Sequence, residues 1–185
     1  MSKFMTELSH WQSIVVTQQD QQFGCIPCSF EWMIRYKGIE GLKNTFQKDV
    51  SLEHNNSFES VTIEAGKQYP EVNIKHKDFH DGKRTVDFIK NHIEKDLPCL
   101  IVYPKINASG KLEGHAAPVV FVDDKTIKVI SSADENGNQT REFPIACYLY
   151  WYTNCGCSDV AWLDDHQTCQ PKSNNSSEQA DQPKR

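Results

Sequence analysis

The stretch Gly24-Cys25-Ile26-Pro27-Cys28-Ser29-Phe30-Glu31-Trp32-Met33 constrains the fold of this chain more than any other. Ile26, Phe30, Met33 and Ile34 recur at helical spacing, and Gly38 suits the end of such a helix. Pro27 fits the first helical turn, where its missing N–H has no intrahelical partner to lose. The spacing therefore predicts a helix that opens at Cys25, entered through the permissive backbone of Gly24. A second fixed point lies far downstream. Gly114-His115 runs into Ala116-Ala117-Pro118-Val119-Val120-Phe121-Val122, which reads as a buried strand. The chain must accommodate a helix with a thiol at its start and a strand with an imidazole at its mouth.

Those two groups have matching chemistry. A thiol attacks a carbonyl carbon as thiolate, and a helix N-terminus lowers a thiol pKa through unpaired amides and the helix dipole. Cys25 is thus expected to be a low-pKa nucleophile, with His115 as its base, although His115 can also be read as a core-edge histidine satisfied by a backbone carbonyl. Gln19 precedes Cys25 in a Gln-x5-Cys pattern, and its amide is expected beside the Cys25 backbone N–H as an oxyanion donor. Such a donor contributes roughly 3–4 kcal/mol in comparable sites. His10, His54, His76, His80, His92 and His166 lie in polar stretches and read as surface residues. Cys25-x-x-Cys28 is also a redox and metal spacing. A redox motif of that kind should follow a strand in a βαβ setting, which this region does not clearly show. Both cysteines can also be read as ordinary helix residues.

The rest of the chain organises around these points. Phe58, Val61, Ala65 and Tyr69 suggest a second helix, stopped by Pro70. Asp81 or Thr85 caps a third, with Val86, Ile89, Ile93 and Leu97 on its buried side. Leu100 to Tyr103, Ala116 to Val122 and Thr126 to Ile130 read as strands, with a turn at Asp123-Asp124. Phe143 to Tyr152 is aromatic-rich and fits either strand or helix. Helices precede a mostly antiparallel sheet, so the fold class is α+β.

At this point the chain resembles the papain-like cysteine peptidases. The likeness rests on Gln19, Gly24-Cys25, the helix to Gly38, and Gly114-His115 followed by two hydrophobic strands, over roughly residues 15 to 165. Within them it is most similar to the bacteriocin-leader (double-glycine) peptidase group. The resemblance implies a helical layer carrying the cysteine packed on an antiparallel sheet carrying the histidine. It also implies a Cys–His–Asp/Asn triad that cleaves a peptide or amide bond through a thioester. The position where that family usually carries its Asp is held here by Ser131. Asp134 follows three residues later and is the nearest anionic candidate, so it is expected as the third member, with Ser131, Ser132 and Asn136 as alternatives. Cys28 stands where the relatives usually have a small residue such as Ala. Gly114-His115-Ala116-Ala117-Pro118 also resembles a segment of the phytochelatin synthases, which implies that an acyl or peptidyl transferase is an alternative. A papain-like binding module without strong catalysis is another.

Bulk properties bound the function classes. The chain has 185 residues, 38% hydrophobic and 24% charged, which suits one domain over 1–166. The polar run 167–185 reads as a disordered tail. Net charge −5 argues against a nucleic-acid partner, and no run of 18 apolar residues exists for a membrane span. The polar N-terminus lacks a signal-peptide core, so a cytoplasmic location is expected, with its seven cysteines reduced. Cys99 reads as a buried small hydrophobe. Cys155-Gly156-Cys157 with His166 and Cys169 has the donor types of a zinc site, but a one-residue gap is tight, and neither metal nor cofactor is expected. Tyr148, Tyr150, Trp151 and Tyr152 read as core, the papain-like resemblance implies that Trp151 walls the active site, and Asp164-Asp165 reads as surface charge. The expected partner is a peptide or amide substrate.

Overall fold

The computed structural model describes residues 4–20, 24–39, 41–52, 56–106, 109–134 and 136–164. The polar tail 167–185, with Cys169, and the residues His54, Asp165 and His166 lie outside the described residues. The helix expected at Cys25 is α1, Cys25–Tyr36. It buries Phe30, Trp32, Met33 and Ile34. It ends at Gly38, whose φ of 66 accommodates the left-handed turn. There Gly38 N donates to Arg35 O and Ile39 N to Ile34 O, the pair of bonds that satisfies the last carbonyls.

Two further helices pack with α1: α2, Phe46–Val50, and α3, Phe58–Gln68. A capping box between Ser57 and Ser60 starts α3. The fourth helix, α4, spans Gly82–Glu94 and is capped by Asp81, whose side chain accepts from Lys83 N and Arg84 N. Phe143 to Tyr152 divides: its first two residues close a strand, and α5, Ile145–Cys155, takes the remainder. Pro144 is the N-cap of α5, so the helix starts where the ladder loses a donor.

The strands are β1 (Met5–Glu7), β2 (Ile74–Asp78), β3 (Cys99–Ile106), β4 (Leu112–Asp123), β5 (Thr126–Asp134), β6 (Gly137–Pro144) and β7 (Asp159–Leu163). They form one sheet in the order β2-β7-β3-β4-β5-β6, with β1 paired to β4. Every pairing is antiparallel. Helices and strands interleave more than the expected helices-then-sheet order, because α4 precedes β3 and α5 precedes β7. The α+β class holds, and with it the helical layer bearing Cys25 on an antiparallel sheet bearing His115. Consecutive residues of β3 and β4 are buried, so both faces of the sheet are covered. Helices α1–α3 pack together as one group and α4–α5 as another.

One irregularity positions the site. β3 runs beside β4 from Leu112 to Val119, and β1 takes over beside Phe121 to Asp123. β5 pairs with β4 only between Val119 and Val122. Before Val119 comes Pro118, which has no N–H to offer a ladder. Residues Gly114 to Ala116 of β4 therefore stand apart from Ile130 to Ala133 of β5, and a cleft opens between them.

Candidate active site

The cleft is a cavity of about 460 Å³. Cys25, Cys28 and Ser29 of α1 form one wall, and Gly114, His115 and Ala116 of β4 the other. Ser131 and Ser132 of β5 line its far side. Helix and strand are tied directly, since Ser29 Oγ donates to Ala116 O at 3.1 Å. Cys25 and His115 are thus brought to one cavity. Trp32 and Val16 add apolar lining, whereas Trp151, expected as a wall, packs on Phe143 at 5.1 Å and is not among the lining residues. Tyr148 and Tyr152 are buried as expected, but Tyr150 is 64% exposed.

Cys25 is the first residue of α1. Burial pushes its thiol above the usual value of 9.0, and the backbone amides of Ala116, Ile26 and Cys25 itself pull it back part of the way. The Glu113 carboxylate adds to the rise. The expectation of a low-pKa thiol is corrected here: the helix start does supply amides, but removal from water outweighs them. Gly24 is required at the entry. A Cβ there would overlap the Asp20 carbonyl, whose oxygen accepts from Gly24 N at 3.0 Å.

His115 sits opposite Tyr103 in the β3–β4 ladder, the two rings edge to face at 5.4 Å. Its Nε2 lies 2.8 Å from the Ser131 carbonyl oxygen. A carbonyl only accepts, so this bond assigns the proton to Nε2 and leaves the lone pair on Nδ1 in the neutral ring. Burial lowers the His115 pKa below 6.5, against the raising effect of the Ser131 bond. Lys105 and Arg141 lower it further, and Glu113 opposes them. The resting pair is a thiol and a neutral imidazole.

Asp134, the expected anionic third member, is exposed, and its Oδ1 accepts from Asn136 N at 2.8 Å within the β5–β6 turn. It is not among the cavity's lining residues. The group on the imidazole is the main-chain carbonyl of Ser131, while the Ser131 hydroxyl donates to Gln139 O at 3.1 Å. The bulge between Ile130 and Ser132 in the β5–β6 ladder accompanies this placement. A main-chain acceptor leaves no residue-type signal in a sequence.

Gln19 also departs from expectation. Its side-chain amide donates to Asn44 O at 3.3 Å, and its main-chain N–H to Gln47 Oε1 at 3.0 Å. The neighbour Gln18 lines the cavity instead, with Nε2 2.5 Å from Asp20 O. Two adjacent glutamines cannot be told apart by spacing alone. A buried network fixes the segment that carries them. Glu31 Oε1 accepts from Arg35 Nε at 2.7 Å, and Glu31 Oε2 accepts from Gln47 Nε2 at 2.8 Å. Gln47 Nε2 also reaches Thr17 O at 2.9 Å.

Among the described residues, no three His, Cys, Asp or Glu side chains converge as metal ligands, and no helix is long and apolar enough to cross a membrane. Cys155 is exposed at the end of α5 and Cys157 is buried after it, separated by the helix-ending Gly156 at φ 66. Their expected companions His166 and Cys169 lie outside the described residues.

No family model matches the chain, and no curated protein sequence matches it. Its structure is similar to a crystal structure described as a "putative C39-like peptidase" from Bacillus anthracis. The two superpose with a TM-score of 0.55 and 12% identity, over 89% of this chain and 98% of that one. At that identity the likeness is one of fold: this chain has the fold of a C39-like, papain-like peptidase.

Proposed function

We propose that the protein is a cysteine hydrolase of the papain-like kind, acting on a peptide or amide bond through Cys25 and His115. The observation that carries this reading is their meeting in one cleft. A thiol at a helix start, among the amides of Cys25, Ile26 and Ala116, shares the cavity with an imidazole held through Nε2.

In the proposed reaction the Cys25 proton passes to His115 Nδ1 as sulfur attacks the carbonyl carbon. The tetrahedral oxyanion is stabilised by main-chain N–H groups at the start of α1 and by the Gln18 amide, which lines the same cavity. His115 then protonates the leaving amine, and a thioester remains on Cys25. Water, deprotonated by Nδ1, attacks the thioester carbon and releases the acid and the thiol. Another amine or thiol in place of water gives the transferase alternative. A second reading, a peptide-binding module without catalysis, is favoured by the raised Cys25 pKa and by an orienter that carries no charge.

A peptide chloromethyl ketone distinguishes these readings. Such a probe alkylates a cysteine whose neighbouring base and oxyanion donors engage the bound carbonyl. We expect modification at Cys25, lost in Cys25→Ala and reduced by orders of magnitude in His115→Ala. Modification at Cys28, Cys147 or Cys155, or a rate equal to that of simple iodoacetamide chemistry, would refute the hydrolase reading and favour the module.

A further inference from the structure

We infer that Cys25 and Cys28 are a dithiol that closes to an intramolecular disulfide across the first turn of α1, by exchange with a small-molecule disulfide. The two occupy the first and fourth positions of the helix. Helical geometry sets Cα atoms three residues apart at about 5 Å, from a rise of ~4.5 Å and a rotation of ~300°. A disulfide spans roughly 4.4–6.8 Å between Cα atoms, so the turn needs no unwinding to accept one. Helical Cα–Cβ bonds tilt towards the N-terminus, which leans the Cys28 side chain towards Cys25.

Access and surroundings fit the same conclusion. Both thiols are free, and both line the open cavity, so a solute that reaches one is within reach of the other. Burial raises the Cys28 pKa most, the Glu31 carboxylate next, and negative charge on Cys25 adds to the rise, so the two thiols lie within electrostatic reach of each other. Among the described residues Cys28 Sγ makes one long bond, to Val16 O at 3.5 Å, which a side-chain rotation breaks at little cost. Pro27 between them has no N–H, so no main-chain bond is lost there as the turn adjusts. The remaining described cysteines do not line this cavity: Cys99 lies in β3, Cys147 and Cys155 in α5, and Cys157 beyond it. This inference does not depend on acyl transfer. If both hold, closing the disulfide consumes the nucleophile and silences the site reversibly.

The exchange balances in two steps. With oxidised glutathione, the Cys25 thiolate attacks one sulfur of the reagent. A protein–glutathione S–S bond forms, the reagent's S–S bond breaks, and one glutathione leaves as thiolate and takes up the proton that Cys25 gave up. The Cys28 thiolate then attacks the Cys25 sulfur. The Cys25–Cys28 bond forms, the mixed disulfide breaks, and the second glutathione leaves and is protonated in turn. Two protein thiols are oxidised and one reagent disulfide is reduced to two thiols.

The full chain is equilibrated with oxidised glutathione, quenched in acid, alkylated and digested with trypsin. The peptide from Phe4 to Arg35 contains Cys25 and Cys28 and no other cysteine. We expect it to be unalkylated and lighter than the reduced peptide by two hydrogens, and to be restored by dithiothreitol. In Cys28→Ser we expect the glutathione adduct to accumulate on Cys25. The inference is overturned if the wild-type chain keeps the adduct on Cys25, if both thiols stay alkylatable, or if Cys28 is joined to another cysteine. Alkylation of the reduced chain by the peptide chloromethyl ketone is scored separately. Its failure would remove the hydrolase reading and leave the disulfide result unaffected.

Discussion

Replacing Gln47 should unfasten the segment that precedes the cysteine. Gln47 is 4% exposed and makes three hydrogen bonds, to Gln19 N, Thr17 O and Glu31 Oε2. Gln47→Met keeps most of the volume and removes all three. Each bond contributes about 1 kcal/mol net, and Glu31, itself 5% exposed, is left with Arg35 as its remaining partner in the network. The expected loss is about 3 kcal/mol, more if the Glu31 carboxylate is left poorly solvated. With a urea m-value of about 2 kcal/mol/M, the unfolding midpoint should fall by about 1.5 M. Urea titration followed by tryptophan fluorescence measures it, with Trp32 of α1 anchored nearby through its Nε1 bond to Ile14 O. The second readout is local. Segment 17–19 carries Gln18 into the cleft, so chloromethyl ketone labelling of Cys25 should slow in Gln47→Met under conditions where the chain is still folded. A midpoint shift below about 0.3 M, or a full shift with unchanged labelling, would refute the link between this network and the site.

The neutral thiol–imidazole pair predicts that iodoacetamide modification of Cys25 rises continuously with pH and passes 9.0 without levelling, because burial holds its thiol above that value. A plateau reaching down to acidic pH would mean that a Cys–His ion pair forms instead. Because Ser131 O holds the imidazole, Asp134→Asn should change labelling by less than about twofold, and a loss of orders of magnitude would restore Asp134 as the charged third member. Stability should fall in alkali. Cys28 is pushed up to about 12 and Cys157 to about 11 by burial, so the native state holds protons that the unfolded chain gives up above 9.0, and the contribution is complete below that pH and lost above it. Urea titrations at about pH 7 and about pH 10 check this, and Cys28→Ala should shrink the difference.

The elements with strong periodicity were legible in the sequence. Cys25 as a helix start follows from Pro27 and the apolar stripe, and α3, α4, β3 and β4 follow from their buried positions. The strands that left little trace are polar or short. β2 reads Ile-Lys-His-Lys-Asp, and β6 is largely exposed, so neither shows a buried run. β7, the last strand described, enters the sheet between β2 and β3, a placement no local pattern encodes. At the site, Cys25 and His115 could be named because their chemistry is carried by side chains. The Ser131 carbonyl and the Ala116 amide could not, since every residue has a carbonyl and all but proline an amide N–H. The pKa of Cys25 depended on burial, which position at a helix start does not reveal.

The cleft and the neutral pair have a common origin. β4 and β5 part beyond Val119, and that parting leaves main-chain groups of two adjacent strands without each other. The structure uses them: the Ala116 amide favours the charged form of Cys25, and Ser131 O accepts from the imidazole. Both are dipoles without net charge, and both sit where burial disfavours ions. An anionic orienter would stabilise a resting imidazolium, and with it a resting thiolate. A carbonyl orients the ring without that pull, so charge separation is deferred until a substrate carbonyl arrives. In the proposed reaction the barrier then includes the proton transfer from Cys25 to His115, and the amides around the sulfur and at the helix start must offset it as charge develops. Such an arrangement makes a slower nucleophile. Its consequence is a thiol that stays protonated beside Cys28 at neutral pH, so that formation of the Cys25–Cys28 bond should accelerate with pH alongside iodoacetamide modification of Cys25.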